Sequence, residues 1–331
     1  MKKWSKEILR SAVTGFVLPA VLLLSVVAAS EEPQPSDPTR PGIRVTLPVL
    51  KTTAAAPDET LYLPVLLEGE VLNLPLEEYL VGVLLREVST AFDEEALKAQ
   101  AVAARTYALK SHTLGYKHGG AVCTTAACCQ GYLDPDAYLA ETGDFPGLAK
   151  MRRAVAATAG QVLTYEGQLI LATYFDCSGG STEDAAAVWG KIYPYLQAVE
   201  SPGEENAPHY SDEVTFTAGQ FLEALELDLK GPPEAWFGAV SYTPGGGVDT
   251  MEIGGRSFRG TDLRTKLGLR STVFTVAVSE DTITFSTRGY GHRVGLSQYG
   301  AEAMALSGCG YEEILQHYYP QSQLEIYDFI A

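Results

Sequence analysis

From residue 61 onward the apolar and polar positions alternate and then cluster in ways that predict the elements of the chain. Residues 61–67 and 70–74 read as two strands around Glu68-Gly69, a tight-turn pair. Pro75 with Glu77 and Glu78 marks a helix start, because proline suits the first turn and carboxylates favour the positive end of the helix dipole. Tyr79, Leu80, Val83 and Leu84 supply that helix with an apolar face. A second helix is predicted over 94–112. Ala96, Ala99, Ala101, Ala103, Ala104 and Ala108 occupy nearly every side of it, so it should be central and buried. Gln100 and Arg105 on such a helix need hydrogen-bonding partners.

Further along, a helix is expected over 146–158. Strands are expected over 162–165 and 169–175, paired across Glu166-Gly167. Residues 201–246 carry one predicted helix, at 218–227, and strands return at 273–278 and 282–286. A glycine-dense loop at 289–295 precedes two short helices, 297–306 and 311–319, stopped by Gly308 and Pro320. Hairpins and helices without regular βαβ alternation predict an α+β fold. The expectation is one large two-lobed domain with a central cleft.

Ahead of that domain stands a different kind of segment. Lys2, Lys3, Lys6 and Arg10, against Glu7, precede an uncharged run over residues 11–29. At ~1.5 Å per residue this run is about the minimum for crossing a bilayer core, and its basic end belongs in the cytoplasm. Val27-Ala28-Ala29 before Ser30 also fits a signal-peptidase site, so a retained anchor and a cleaved leader both match the pattern; the retained anchor is favoured. The predicted organisation is a basic tip and transmembrane anchor at 1–30, a Pro/Thr/Ala-rich extracytoplasmic linker at 31–60 and the folded domain at 61–331. This describes a single-pass membrane protein with its C-terminal domain outside the cytoplasm. The chain carries a net charge of −17; the first thirty residues contribute +3, leaving −20 on the rest. Such an acidic body argues against nucleic acid as a partner. An anionic wall polymer would have to be held by local hydrogen bonds and ring stacking.

Glu87 is the leading candidate for chemistry. It stands at the C-terminal end of an apolar helix, where burial and the dipole disfavour its charge and raise its pKa, as a general acid requires. The competing reading is a structural ion pair with Arg86 or Arg105. His118, Cys123, Cys128 and Cys129, with His112 nearby, offer a zinc-like donor set, while a Cys123–Cys129 disulfide and free thiols stay open as alternatives. The loop Cys177-Ser178-Gly179-Gly180 lacks the nucleophile-elbow spacing and reads better as a turn that lets substrate approach the backbone. His292 lies in the 289–295 loop as a ligand, a base or a hydrogen-bonded structural residue.

Four segments, in order, resemble the stage II sporulation protein D family: EVSTAFDEEALKAQAVAARTYAL at 87–109, CTTAACCQGY at 123–132, YFDCSGGSTEDAAAVWG at 174–190 and GYGHRVGLSQYGA at 289–301. The resemblance implies a lytic transglycosylase that cleaves stem-peptide-free peptidoglycan strands to 1,6-anhydro-muramic ends during engulfment. It implies Glu87 as acid and then base. A substrate cleft would be lined by Arg105, Ser178, Gly179, Gly180, His292, Ser297, Gln298 and Tyr299. No catalytic cofactor is implied, but a structural zinc is, on His118, Cys123, Cys128 and Cys129; some members use two Cys and two His, and Cys128 stands here in place of one His. The implied partners are glycan strands, the amidase stage II sporulation protein P and the membrane protein stage II sporulation protein M. Arg293 takes the place of a glycine expected in the last segment. Asp176 and Glu183 are second carboxylates if the enzyme hydrolyses instead. Related amidase enhancers supply the rival reading, a non-enzymatic glycan-binding activator of a cell-wall amidase.

Overall fold

A computed structural model describes residues 60–115, 118–280 and 282–327. The predicted anchor and almost all of the predicted linker lie outside these residues. Among the described residues no helix is long and apolar enough to cross a membrane.

The chain begins with an antiparallel hairpin, β1 (Tyr62–Leu67) and β2 (Glu70–Pro75), in which Leu67 faces Glu70. Glu68 and Gly69 both take positive φ, as a two-residue hairpin turn needs. Helix α1 (Leu76–Glu87) follows at once and α2 (Glu94–Leu114) after a short break, with the Asp93 side chain capping the Glu95 N–H. The strand β3 (Val122–Cys123) then runs parallel to β1. Helices α3 (Pro135–Thr142) and α4 (Phe145–Ala157) lead to the hairpin β4 (Gln161–Tyr165) and β5 (Gln168–Leu169).

Here the expected strand over 169–175 breaks in two. Thr173 N–H bonds back to the carbonyl of Leu171, so the chain turns out of the hairpin. Its far half, β6 (Tyr174–Phe175), pairs elsewhere. Next come β7 (Gly180–Ser181), α5 (Ala185–Trp189) and β8 (Glu200–Ser201).

Residues 211–288 form a separate lobe: β9 (Ser211–Thr217), α6 (Ala218–Leu225), β10 (Phe237–Tyr242), β11 (Val248–Ile253), β12 (Arg256–Arg259), α7 (Gly260–Lys266), β13 (Val273–Ser279) and β14 (Thr282–Arg288). Two three-stranded antiparallel sheets result, in the orders β10-β11-β12 and β13-β14-β9. The chain returns through β15 (Leu296–Ser297), which pairs in parallel with β6, and ends in α8 (Gln298–Leu306), α9 (Tyr311–Tyr318) and β16 (Gln323–Ile326).

The fold is therefore α+β, with two separate hydrophobic cores. The first gathers Leu63, Tyr79, Leu84, Leu97, Met151, Ile314 and Tyr318 around α2, whose alanines are almost wholly buried. Small side chains on every face allow α1, α4, α8 and α9 to pack against this one helix. The second core, Phe221, Trp236, Ile253, Leu263, Phe274, Ile283 and Phe285, lies inside the inserted lobe. Burying each such side chain contributes about 1.5–3 kcal/mol. Where the lobe is entered and left, the two chain segments hold each other: Gly289 N–H donates to the Tyr210 carbonyl at 2.7 Å.

Candidate active site

Glu87 is the last residue of α1. Its Oε1 accepts the backbone N–H of Gly131 at 2.7 Å. The approach needs a glycine there: a Cβ on residue 131 would lie 2.7 Å from that oxygen and from Arg86 Cγ. Burial pushes the carboxyl above the ordinary glutamate range, while the Gly131 N–H, the Gln298 amide and the Arg86 charge oppose the shift. Gln298 is 5 % exposed and its Nε2 makes no hydrogen bond within the described protein, so it faces the carboxylate without closing a bond to it.

Behind Glu87 lies a tyrosine–glutamine relay. Tyr79 Oη donates to Gln130 Oε1 at 3.2 Å, and Gln130 Nε2 donates to the Tyr174 hydroxyl at 2.9 Å and the Ala104 carbonyl at 3.1 Å. Both phenols are held well above the usual tyrosine range, chiefly by burial and partly by the nearby Glu87 charge. They are fixed neutral groups. The sequence pattern marks Tyr79 only as part of an apolar helix face and gives Gln130 and Tyr174 no role; the available signal is Gln130-Gly131 standing directly after Cys128-Cys129.

Arg105 is placed differently from the expectation. Its guanidinium is fully buried and donates to Glu77 through Nε (3.0 Å) and Nη2 (2.6 Å). Nη1 and Nη2 also reach the carbonyls of Gln161 (3.1 Å) and Val155 (3.3 Å). Arg105 thus ties α1 and α4 to α2 from inside, and neither lines an opening nor pairs with Glu87.

Ser178 and Ser297, expected as sugar contacts, are turned inward for a related reason. Both are fully buried and bond to Glu204, a residue the sequence reading left aside. Glu204 Oε2 accepts from Ser178 N (2.6 Å), Ser178 Oγ (2.9 Å) and Gly179 N (3.1 Å). Its Oε1 accepts from Ser201 Oγ (2.5 Å) and Ser297 Oγ (2.6 Å). One buried carboxylate thereby fixes the glycine loop and the start of α8. Gly179 has φ +78, and a Cβ there would meet the Arg288 backbone at 2.8 Å; Gly180 is the exposed member of the loop.

Arg293 is fully buried at φ +66 and works from the opposite side. It donates to the carbonyls of Ser178 (2.7 Å), Ser181 (2.6 Å) and Gly245 (2.6 Å), and pairs with Glu183 at 3.5 Å. Glu183 is thereby committed to structure. His292 packs between Phe175 and Trp189, and its Nδ1 accepts the Val294 N–H at 3.1 Å. Burial first, then the Arg264 charge, push its pKa down to about 4, so it stays a neutral ring. Tyr299 packs edge-on against Phe92, and its N–H donates to the Asp176 carbonyl at 3.1 Å. Asp176 itself faces His209, with Oδ2 3.2 Å from Nδ1.

A further constellation is the Cys/His turn. One donor atom from each of His118, Cys123, Cys128 and Cys129 lies within 4.8 Å of all the others. His118 Nε2 stands 3.3 Å from Cys128 Sγ, and the Cys128 and Cys129 sulfurs are 4.0 Å apart. Zinc at about 2.3 Å from sulfur and about 2.0 Å from nitrogen has tetrahedral edges of this size, so one Cys3His set fits it. The turn is shaped by Thr125, whose carbonyl accepts both the Cys128 and Cys129 N–H groups at 2.9 Å. His112 stays outside the quartet and meets the Gly120 carbonyl at 2.7 Å.

The Stage II sporulation protein (SpoIID) family profile matches residues 68–165, which include Glu87, Gly131 and the Cys/His turn. The chain is 40 % identical over 257 residues to stage II sporulation protein D of Bacillus subtilis (strain 168), covering 76 % of this chain and 75 % of that protein. It is 37 % identical over 294 residues to stage II sporulation protein D of Bacillus amyloliquefaciens, covering 87 % and 81 %. It is also 31 % identical over 305 residues to an amidase enhancer of Bacillus subtilis (strain 168), covering 75 % of this chain and 40 % of the enhancer. On these similarities the chain belongs to the stage II sporulation protein D family.

Proposed function

We propose that the protein is a lytic transglycosylase that cleaves stem-peptide-free peptidoglycan strands, with Glu87 as acid and then base. The observation that carries this reading is a single glutamate at a helix end, with its pKa raised by burial and one oxygen held by the Gly131 N–H. Protonated Glu87 donates to the glycosidic oxygen as the bond from that oxygen to C1 of muramic acid breaks. The resulting carboxylate, with the Gly131 N–H and the Gln298 amide beside it, takes the proton of the C6 hydroxyl as that oxygen bonds to C1. A 1,6-anhydro ring forms and Glu87 is protonated again. No water is consumed, so the second carboxylate of a hydrolase is unnecessary.

Zinc on His118, Cys123, Cys128 and Cys129 would supply structural bracing. The chain runs from Cys129 through Gln130 into Gly131, so fixing that turn fixes the donor to Glu87. The uncharged run at 11–29 supports a membrane anchor with the domain outside the cytoplasm. The family resemblance supports work during engulfment beside stage II sporulation proteins P and M.

Mass spectrometry of products from stem-peptide-free strands tests the reading. Anhydro-muramic ends from the wild type, and none from Glu87→Gln, are expected. Similarity to an amidase enhancer favours one second reading, a glycan-binding activator of an amidase. That reading predicts that Glu87→Gln stimulates the amidase as well as the wild type does, with no strand cleavage by either.

A further inference from the structure

The inserted lobe presents an outer sheet face that the chemistry at Glu87 does not use. Register places Thr275, Ser286 and Glu213 side by side across β13, β14 and β9, with Val273, Arg288 and Ser211 in the next row on the same face. A groove of about 590 Å3 runs over these residues, with the largely exposed Tyr242 at its rim. Of its two acids, Asp212 pairs with Arg270 at 3.2 Å, while the exposed Glu213 accepts from the neutral Ser286 hydroxyl at 2.9 Å. Arg288 is exposed and, among the described residues, has no carboxylate within 4.0 Å. In a body carrying −20, an uncommitted guanidinium on a hydroxyl-rich face is a local exception to the surrounding charge.

A series of side-chain and backbone contacts runs from this groove toward the Glu87 site. Arg270 lies over the Tyr290 ring at 5.8 Å, and His209 packs edge-on against the same ring at 5.4 Å. His209 meets Asp176, whose carbonyl accepts the N–H of Tyr299, the neighbour of Gln298. Partly exposed rings flanked by hydroxyls and a cation match an amino-sugar polymer, because pyranose C–H faces pack on aromatic rings and sugar hydroxyls bond to Ser and Thr. The free arginine adds a demand for a carboxylate, which its planar fork binds with two hydrogen bonds. In a glycan strand the muramic lactyl group is an amide while the stem peptide is attached. It becomes a free carboxylate once the peptide is removed.

Building on the glycan-strand reading above, we propose that this groove is a distal glycan subsite in which Arg288 pairs with a free lactyl carboxylate. Arg288 thereby gives the protein its preference for strands already stripped of peptide.

The test uses the full-length protein carrying Glu87→Gln, so that strands are bound and not cut. Two probes are compared: stem-peptide-free strands, and the same strands with their lactyl carboxyls converted to methylamides. The parent should bind the free-acid strands about tenfold more tightly. Arg288→Ala should erase that difference by weakening free-acid binding alone, Arg288→Lys should keep part of it, and Ser286→Trp, which fills the groove, should weaken binding of both probes. Equal binding of the two probes by the parent, or a preference that survives Arg288→Ala, overturns the subsite while leaving the catalytic reading intact. Failure of the parent to bind either probe overturns both.

Discussion

The Gly131 N–H and Glu87 Oε1 are 2.7 Å apart, and no larger residue fits at 131 without moving the carboxyl. Gly131→Ala should therefore lower stability by about 1–3 kcal/mol, as overpacking does, and lower strand cleavage at least about a hundredfold, as displacing a catalytic group does. Thermal melting and product release measured on the same preparation check both. A loss of stability with full activity would mean that the contact is not catalytic.

The raised pKa of Glu87 has a signed consequence for stability. A carboxyl that is harder to ionise in the folded state favours folding below its unfolded pKa, and that contribution is lost as pH rises through its folded pKa. Glu87→Gln removes the buried charge, so the variant should melt higher than the wild type at pH 8. The difference should shrink steadily as pH falls toward the ordinary carboxyl range. Cleavage by the wild type should decline above the folded pKa, where the acid form is depleted.

Glu204 gathers five donors onto one buried carboxylate. Glu204→Ala leaves them unsatisfied and should destabilise the protein by about 3–5 kcal/mol. Ser178→Ala deletes one bonding hydroxyl from the same set and should lower stability by only about 1 kcal/mol, with glycan binding nearly unchanged. Denaturant titration and strand binding separate this account from one in which Ser178 touches sugar.

The Cys3His quartet predicts about one zinc per chain by elemental analysis of the full-length protein, since structural sites of this donor set are tetrahedral and closed. Cys128→Ser should lower that content, and chelation should lower the melting temperature of the wild type more than that of the variant. A metal-free protein with the same melting temperature would point instead to a disulfide or free thiols.

Local signals carried much of this structure. The hairpin at Glu68-Gly69, the alanine helix with its Asp93 cap and the helices after Ser297 are encoded by residues close in sequence, and their bounds agree with the pattern to within a few positions. The break of 169–175 was not legible, because a parallel partner for Tyr174–Phe175 comes from Leu296–Ser297, over a hundred residues away. The inserted lobe was read only in part. Ser211–Thr217 carries just Val214 and Phe216 as apolar alternates, and Phe237–Tyr242 is mostly exposed, so neither shows a buried period. At the site, residue type singled out Glu87 and the Cys/His donors as candidates but carried no side-chain direction. Ser178, Ser297 and Arg105 point inward because Glu204 and Glu77 are there to receive them, at separations of 26, 93 and 28 residues.

The most direct measurement is cleavage of stem-peptide-free strands in water enriched with oxygen-18, followed by mass spectrometry of the new ends. Intramolecular ring closure assisted by Glu87 predicts anhydro ends that carry no label, and no products at all from Glu87→Gln. Labelled reducing ends would contradict it, because a water molecule would then have attacked and a second carboxylate would be required; of the two sequence candidates, Glu183 is paired with Arg293 and Asp176 faces His209.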